Sequence, residues 1–243
     1  MNKSKNKYRY EFKYLINYQE MYLARQRLSV IMERDEHTIN GVYKIRSLYF
    51  DDYWNSAYNQ KIIGINNRKK YRIRMYNDDD SFIRLEKKEK VGFSIYKKTA
   101  PLTKEETLDI IGGRYEFLLK KDNRLLNEFY YQCVSHVMRP CVIIEYEREP
   151  FVNPAGDTRI TFDSNVRSSS IFTEFFNPLL PFAYVFDEGK LVMEVKYTEF
   201  LPKYIKDAIP CRSSEYSAVS KFTDGFEKVS NYIPISIIGE SQI

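Results

Sequence analysis

Charged side chains recur at every second position along several short segments of this sequence. Arg72 and Arg74, in KKYRIRMY (69–76), would share one face of a β-strand, because strand side chains alternate with period two. Guanidinium groups bind phosphate oxygens in pairs, and carboxylates among them bind hard cations such as Mg²⁺ or Mn²⁺. Comparable positions in other segments are Arg9, Glu11 and Lys13; Arg46; Glu86 and Lys88; Arg159; and Glu194 and Lys196. These residue types predict a site for several linked phosphates.

The ordinary alternative is that these charges lie on the solvated face of an antiparallel sheet. Two features favour an enclosed face: the positions are rich in arginine rather than Thr, Ser or Gln, and helical segments are available to cover the apolar face. Buried cations without partners are costly, so an enclosed set of this kind requires anions. Glu11, Glu86 and Glu194 would then be either ion-pair partners or metal ligands. Phosphoryl transfer suits this inventory, because it needs mainly charge stabilisation and positioning.

The segments that carry these charges are separated by predicted helices. Capping boxes at Asn17 with Glu20 and at Thr103 with Glu106 predict two helix starts. Strands are predicted at 8–15, 42–50, 69–76, 81–90, 93–99, 141–148, 157–163 and 191–198, and helices at 18–34, 53–62, 114–138, 202–208 and 216–226, with a short helix that ends at Gly112. About eight strands with a helical insert indicate an α+β fold, whose antiparallel sheet could close into a barrel with room for a ligand. Without a repeat or linker, residues 1–243 are expected to form a single domain.

Composition excludes several classes of protein. A net charge of +5 is too mild for a general nucleic-acid binder, and neither GxxxxGK[ST] nor GxGxxG occurs. Cys133, Cys141 and Cys211 form no CxxC pair, and with only His37 and His136 a histidine metal site or Ser-His triad is not expected. Neither a signal peptide nor an apolar run long enough to span a membrane is present, so a cytoplasmic location is expected.

Eight short segments occur in an order that resembles a known family. They are RYEFKY (9–14), KIRSLYFDD (44–52), KYRIRMY (70–76), LEKK (85–88), EYEREPF (145–151), RITFD (159–163), MEVK (193–196) and SKF (220–222). Together they resemble the vacuolar transporter chaperone (VTC) polyphosphate polymerase domain, one of the triphosphate tunnel metalloenzymes and a relative of the CYTH phosphatases. The resemblance covers a core of about residues 7–228. It implies a tunnel of antiparallel strands that adds the terminal phosphate of ATP to polyphosphate with Mn²⁺ or Mg²⁺.

The resemblance also implies roles for individual residues. The phosphates would be held by Lys13, Arg46, Arg72, Arg74, Lys88, Lys97, Arg148, Arg159 and Lys221, with Lys196 beside the metal ligand Glu194 and with Glu11 and Glu86 as weaker metal candidates. Within this set, Lys13, Arg72, Arg74, Arg159 and Lys196 would act in catalysis, and Arg46, Lys88, Lys97, Arg148 and Lys221 in phosphate binding. In CVIIEYER (141–148), Arg148 alternates with Tyr146 and not with Glu145, so a bulge or a strand end would be needed to bring it into a charged face.

Two positions depart from the family pattern. Many tunnel enzymes begin with ExExK, whereas this chain has Arg9 at the first position, which removes an acidic ligand and favours the polymerase branch. Ala218 stands where a second lysine is expected, three residues before Lys221. The alternatives are a tunnel triphosphatase that hydrolyses tripolyphosphate or nucleoside triphosphates, and a polyphosphate-binding module without activity. A separate membrane partner would be needed if the product were exported.

Overall fold

The computed structural model describes residues 9–92, 94–210 and 219–230. The strands are β1 (Arg9–Asn17), β2 (Glu33–Arg34), β3 (Tyr43–Asp51), β4 (Arg68–Tyr76), β5 (Asp79–Val91), β6 (Ser94–Leu102), β7 (Arg139–Asn153), β8 (Thr158–Ser169), β9 (Ala183–Tyr184) and β10 (Lys190–Thr198). The helices are α1 (Tyr18–Ile31), α2 (Ser56–Ile62), α3 (Lys104–Ile111), α4 (Arg124–Ser135), α5 (Lys203–Ala208) and α6 (Lys221–Ser230), with 3₁₀ turns at Glu116–Lys120, Ala155–Asp157 and Phe172–Glu174. The chain is therefore α+β, as predicted.

One antiparallel sheet of ten strands organises the molecule. Its order is β1-β10-β8-β7-β3-β4-β5-β6, with β2 beside β7 and β9 beside β8. Within the described residues, no backbone pairing joins β1 to β6, so the predicted closure of the barrel by hydrogen bonds is not found. The sheet nevertheless curls strongly, since Lys88 Nζ on β5 lies 3.2 Å from Glu11 Oε2 on β1. We call the face that carries these two residues the concave face.

Apolar side chains cover the opposite, outer face. Leu28 of α1 lies in one cluster with Phe162 and Met193 of the sheet, and Phe129 of α4 lies in a second cluster with Ile73. Burying a large apolar side chain contributes roughly 1.5–3 kcal/mol relative to exposure. Because helices occupy the apolar face, the alternate charged side chains of the same strands must point inward.

Helix α6 packs inside the curl rather than outside it. Phe222 and Val229 join a third apolar cluster with Ile144 on the concave side. A Cβ atom at Gly225 would stand 2.1 Å from Cδ1 of Ile144, so a larger residue here would force the Ile144 side chain to move. The packing places Lys221, the first residue of α6, against the charged part of the concave face.

The element boundaries differ from prediction where tertiary pairing intervenes. Both capping boxes are confirmed, but α1 ends at Ile31 rather than Arg34, because Glu33 and Arg34 pair with β7. The helical region predicted at 114–138 is broken into a 3₁₀ turn and α4. The predicted helical turns at 216–226 begin at Lys221, while residues 216–218, including Ala218, lie outside the described residues. No helix in the described ranges is long and apolar enough to cross a membrane.

Candidate active site

Charged side chains from eight strands and helices meet on the concave face. The cations are Lys13, Lys70, Arg72, Arg74, Lys88, Lys97, Arg148, Arg159, Lys196 and Lys221, and the carboxylates joined to them are Glu11, Asp35, Glu86, Asp163 and Glu194. The cations outnumber these carboxylates two to one. This excess of positive charge suits an anion that carries several negative charges.

Glu194 is the centre of the network. Its carboxylate accepts from Lys196 at 2.7 Å and Lys221 at 3.0 Å, and it lies 3.3 Å from Arg148 and 3.5 Å from Lys13. Burial alone would raise the pKa of Glu194, but these four cations hold that pKa well below its usual range. Glu194 is therefore ionised at any pH at which the protein would work.

Asp163 forms a second anionic centre that the sequence-based predictions did not include. Arg148 donates to both of its oxygens, at 2.6 and 2.7 Å, and Lys221 lies 2.5 Å away. Burial would raise the pKa of Asp163, yet Arg148 and Lys221 lower it overall. The sequence did contain a signal for this residue, because Asp163 alternates with Arg159 in RITFD. The carboxylate anchors the two cations beside Glu194.

Arg148 reaches this centre by the alternation noted in the sequence. Tyr146 and Arg148 both face the concave side, where the Tyr146 hydroxyl accepts from Arg74 at 3.2 Å, while Glu145 faces outward. The β7–β8 register shifts between Glu145 and Glu147, where two steps along β7 match three along β8. The irregularity therefore lies in β8, and no bulge in β7 is needed to turn Arg148 inward.

Arg72 and Arg74 lie side by side but differ in their partners. Arg72 donates to Glu86 at 2.7 Å and to the Tyr49 hydroxyl at 3.0 Å. Arg74 donates only to hydroxyl groups, those of Ser47 at 3.0 Å and Tyr146, and no carboxylate of the described residues pairs with it. Only 6% of Arg74 is exposed. Glu86 acts on Arg74 only from a distance, because its carboxylate is paired with Arg72 and Lys97. Much of the buried positive charge of Arg74 is therefore left for a ligand anion.

Lys70 is a further cation that the sequence-based predictions did not include. It alternates with Arg72 and Arg74 along β4, and its amine lies 4.3 Å from the centroid of the Phe222 ring. No carboxylate in the described part of the chain forms an ion pair with it. Burial, together with Lys13 and other nearby cations, lowers the pKa of Lys70 well below its usual value.

Three predicted cations stand at the edges of the concave face. Lys88 lies 3.2 Å from Glu11, and Lys97 lies 2.5 Å from Glu86. Arg159 donates to Asp35 at 2.8 Å and to the Tyr43 hydroxyl at 2.9 Å. The Lys88 pair spans the gap between β5 and β1, and the Lys97 pair joins the terminal strand β6 to β5. The structure brings together the following predicted residues: Lys13, Arg72, Arg74, Arg159, Lys196, Lys88, Lys97, Arg148, Lys221, Glu194, Glu11 and Glu86.

Arg46 does not join them, and its predicted direction is wrong. Its Nε donates to Glu145 at 2.5 Å, and its Nη1 donates to the carbonyl oxygens of Phe175 and Asn177 at 2.8 and 2.9 Å. Ser47, the next residue of β3, faces Arg74, so alternation turns Arg46 to the outer face. With 1% exposure, Arg46 is buried among protein acceptors.

The carboxylates fit a divalent cation only in company with phosphate. No group of three or more His, Cys, Asp or Glu side chains suited to a metal occurs in the described residues. Glu11 and Glu194 lie 3.4 and 3.5 Å from the same Lys13 amine, whereas Glu86 is held by Arg72 and Lys97. Mg²⁺ is often held by one or two carboxylates, with substrate phosphates and water completing its coordination. Glu194 and Glu11 would hold such an ion, and Glu86 is the weaker candidate.

We expect the protein to take up protons when it binds a polyphosphate. Burial lowers the pKa of Lys196 to about 8 and also lowers the pKa values of Lys88 and Lys70. A bound polyphosphate favours the ammonium form and raises these pKa values, so affinity should fall as the pH rises above about 8. Calorimetry of tripolyphosphate binding at pH 8.5, in two buffers that differ in ionisation enthalpy, measures the uptake. Equal binding enthalpies in the two buffers would contradict it, and Lys196→Arg should reduce the uptake.

Comparison with known proteins connects this geometry to a family. A family model described as the VTC domain matches residues 8–230. A solved Hippeastrum protein, described as a putative adenylyl cyclase with a dominant triphosphatase activity, is 14% identical with a TM-score of 0.54; the match covers 90% of this chain and 95% of that one. A putative adenylate cyclase of Bacillus halodurans is 11% identical with a TM-score of 0.45, over 96% of this chain and 90% of that one. No curated protein sequence matches significantly. The Hippeastrum likeness shows a shared fold.

Proposed function

This chain belongs to the VTC domain family, and from that membership we propose that it is a polyphosphate polymerase that extends polyphosphate with the terminal phosphoryl group of ATP. The observation that carries the proposal is the cationic concave face, in which the buried Arg74 has no carboxylate ion-pair partner among the described residues. Linked phosphates would supply the negative charge that the protein's own carboxylates do not.

The proposed phosphoryl transfer involves no oxidation or reduction. A terminal oxygen of polyphosphate attacks the γ-phosphorus of ATP, the bond from that phosphorus to the β,γ-bridging oxygen breaks, and ADP leaves with the electron pair. Arg72, Arg74 and Lys13 would neutralise the transferred group, because such reactions depend mainly on positioning and charge stabilisation.

The remaining cations would hold the two phosphate chains in line. Lys196 and Arg159 would complete the contacts to the reacting phosphates, and Lys88, Lys97, Arg148 and Lys221 would bind or anchor phosphates around them. A divalent metal held by Glu194 and Glu11 would neutralise charge on the phosphate oxygens.

The carboxylates Glu11 and Glu86 are weakly basic. The pKa values of Glu11 and Glu86 are lowered to about 2, because nearby cations outweigh the opposing effect of burial. Carboxylates this weakly basic are poor at taking a proton from water. A terminal phosphate oxygen is already ionised and needs no such base, whereas water would have to give its proton to another group, such as Lys196 or Lys70, whose pKa values are lowered.

A triphosphatase is the second candidate, because the Hippeastrum protein of the same fold is described by that activity. The same cations would bind tripolyphosphate or a nucleoside triphosphate, and water would replace the phosphate acceptor.

One assay separates the candidates. We expect the protein, incubated with ATP and Mn²⁺ or Mg²⁺, to form chains that migrate as long polyphosphate on a gel and disappear on treatment with an exopolyphosphatase. Release of free phosphate as the only product would support the triphosphatase. Tight polyphosphate binding with no product under either metal would indicate a binding module and contradict both enzymes.

A further inference from the structure

Aromatic side chains gather at one end of the concave face, where a wholly phosphate-binding surface would need none. Tyr43 at the start of β3 and Tyr76 at the end of β4 meet edge to face, with ring centroids 5.8 Å apart. Phe82 of β5 lies 6.2 Å from Tyr76. Arg159, from β8, donates to the Tyr43 hydroxyl at the same end.

Phe82 is unusual within this group because 46% of its surface is exposed. It shares its strand face with Arg84, Glu86 and Lys88, since these residues alternate along β5. The Arg84 guanidinium group lies over the Phe82 ring, 4.3 Å from its centroid. With about half of Phe82 exposed, a ligand bound at this end of the sheet could contact the ring.

Two neighbouring strands both run from an aromatic ring through an arginine to a lysine along the concave face. β4 carries Tyr76, Arg74, Arg72 and Lys70 at alternate positions, and β5 carries Phe82, Arg84, Glu86 and Lys88. Arg74 pairs in register with Arg84, and Lys70 with Lys88. Alternate residues of a strand are roughly 6.6 Å apart, so the aromatic and lysine ends are separated by about 20 Å.

A nucleoside triphosphate has the same order of chemistry, with an aromatic base at one end and phosphates at the other. Bases stack on aromatic rings and on guanidinium planes, and one such contact contributes about 1–3 kcal/mol. We propose that Phe82, with Tyr76 and Arg84, forms a stacking site for the base of the nucleoside triphosphate, whose phosphates then lie against Arg74 and Arg72. This assignment rests on the proposed function and adds the part of the substrate that polyphosphate lacks.

The aromatic end would thereby place the nucleoside triphosphate and the polyphosphate chain on different parts of the concave face. The base stops at the Phe82 end, and the lysine end of β4 and β5, with Lys70 and Lys88, is left to the polyphosphate chain. Stacking tolerates any base, since each base has a ring face. The site therefore selects nucleotides over inorganic phosphates without choosing strongly between adenine and guanine.

The test compares a ligand that has a base with one that does not. ATP and tripolyphosphate are titrated in EDTA, so that no turnover occurs, into the wild-type protein and Phe82→Leu. We expect Phe82→Leu to weaken ATP binding about tenfold and to change tripolyphosphate binding less than twofold, and Phe82→Tyr to bind both ligands as the wild type does. Tyr96→Leu, which removes a ring of 45% exposure from β6, is the matched control and should change neither.

Each other outcome overturns the stacking site. Unchanged ATP affinity in Phe82→Leu means that the base lies elsewhere, and equal weakening of both ligands means that the ring only supports the hairpin. Because these are binding measurements, they decide the stacking site whether the product of the reaction is long polyphosphate or free phosphate.

Discussion

Arg74→Ala should weaken tripolyphosphate binding by about 30-fold or more while leaving the fold nearly as stable as before. Truncating one partner of a buried charged contact typically costs about 2–5 kcal/mol of binding free energy. In the described part of the chain, Arg74 donates to the hydroxyl groups of Ser47 and Tyr146 and forms no ion pair, so its removal leaves no carboxylate without its partner. Calorimetry of tripolyphosphate binding and thermal unfolding of the free protein measure the two effects.

Arg148→Ala is the matched comparison, because this arginine is buried on the same face but is paired. Its removal takes away both hydrogen bonds to Asp163 and leaves that buried carboxylate to Lys221. Breaking a buried pair costs about 3–5 kcal/mol, which for a chain of this size is a melting temperature lower by roughly 6–20 °C. If Arg74→Ala binds tripolyphosphate normally, or melts as low as Arg148→Ala, Arg74 is a structural residue.

Glu194→Gln should reduce turnover about 100-fold or more and leave tripolyphosphate binding as tight as in the wild type, or tighter. The change removes the carboxylate proposed to hold the metal, whose charge stabilisation is worth several kcal/mol in the transition state. It also removes a negative charge from among Lys13, Arg148, Lys196 and Lys221, so the free protein should melt earlier and an added polyanion should restore its stability. Rates of product formation, calorimetry and thermal unfolding with and without tripolyphosphate measure these effects.

Glu89→Gln provides the control for Glu194→Gln. Glu89 pairs with Lys87 on the outer face of β5, so the same chemical change there should alter neither turnover nor binding. Retained turnover in Glu194→Gln would remove this residue from the proposed metal site, and loss of tripolyphosphate binding would show that its role is to order the cations.

Much of the site could be predicted from local patterns. Alternation placed Arg72 with Arg74 and Glu194 with Lys196 on common faces, and the order of the motifs indicated the family that the match over residues 8–230 shows. The helix starts at Asn17 and Thr103 also followed from local chemistry, since a capping box satisfies backbone groups within four residues.

The errors arose because alternation identifies the two faces of a strand but does not say which of them points inward. In KIRSLYFDD the charged residue, Arg46, was assigned to the inner face, but Ser47 and Tyr49 occupy it and Arg46 is paired with Glu145 outside. The same reasoning made Arg148 look misplaced, although its alternation with Tyr146 is what directs it inward. Charge alone does not identify the inner face of a strand.

The amino-acid pattern was sufficient for the strands, for their two chemically different faces and for the affinity of one face for phosphate, because these properties depend on neighbouring residues. The curl of the sheet decided the rest. Helices α1 and α4 outside it and α6 within it bring Lys13, Arg148, Glu194 and Lys221 together from four distant parts of the chain. Which cations are neutralised within the protein, and which, like Arg74, remain for a ligand, depends on these long-range contacts.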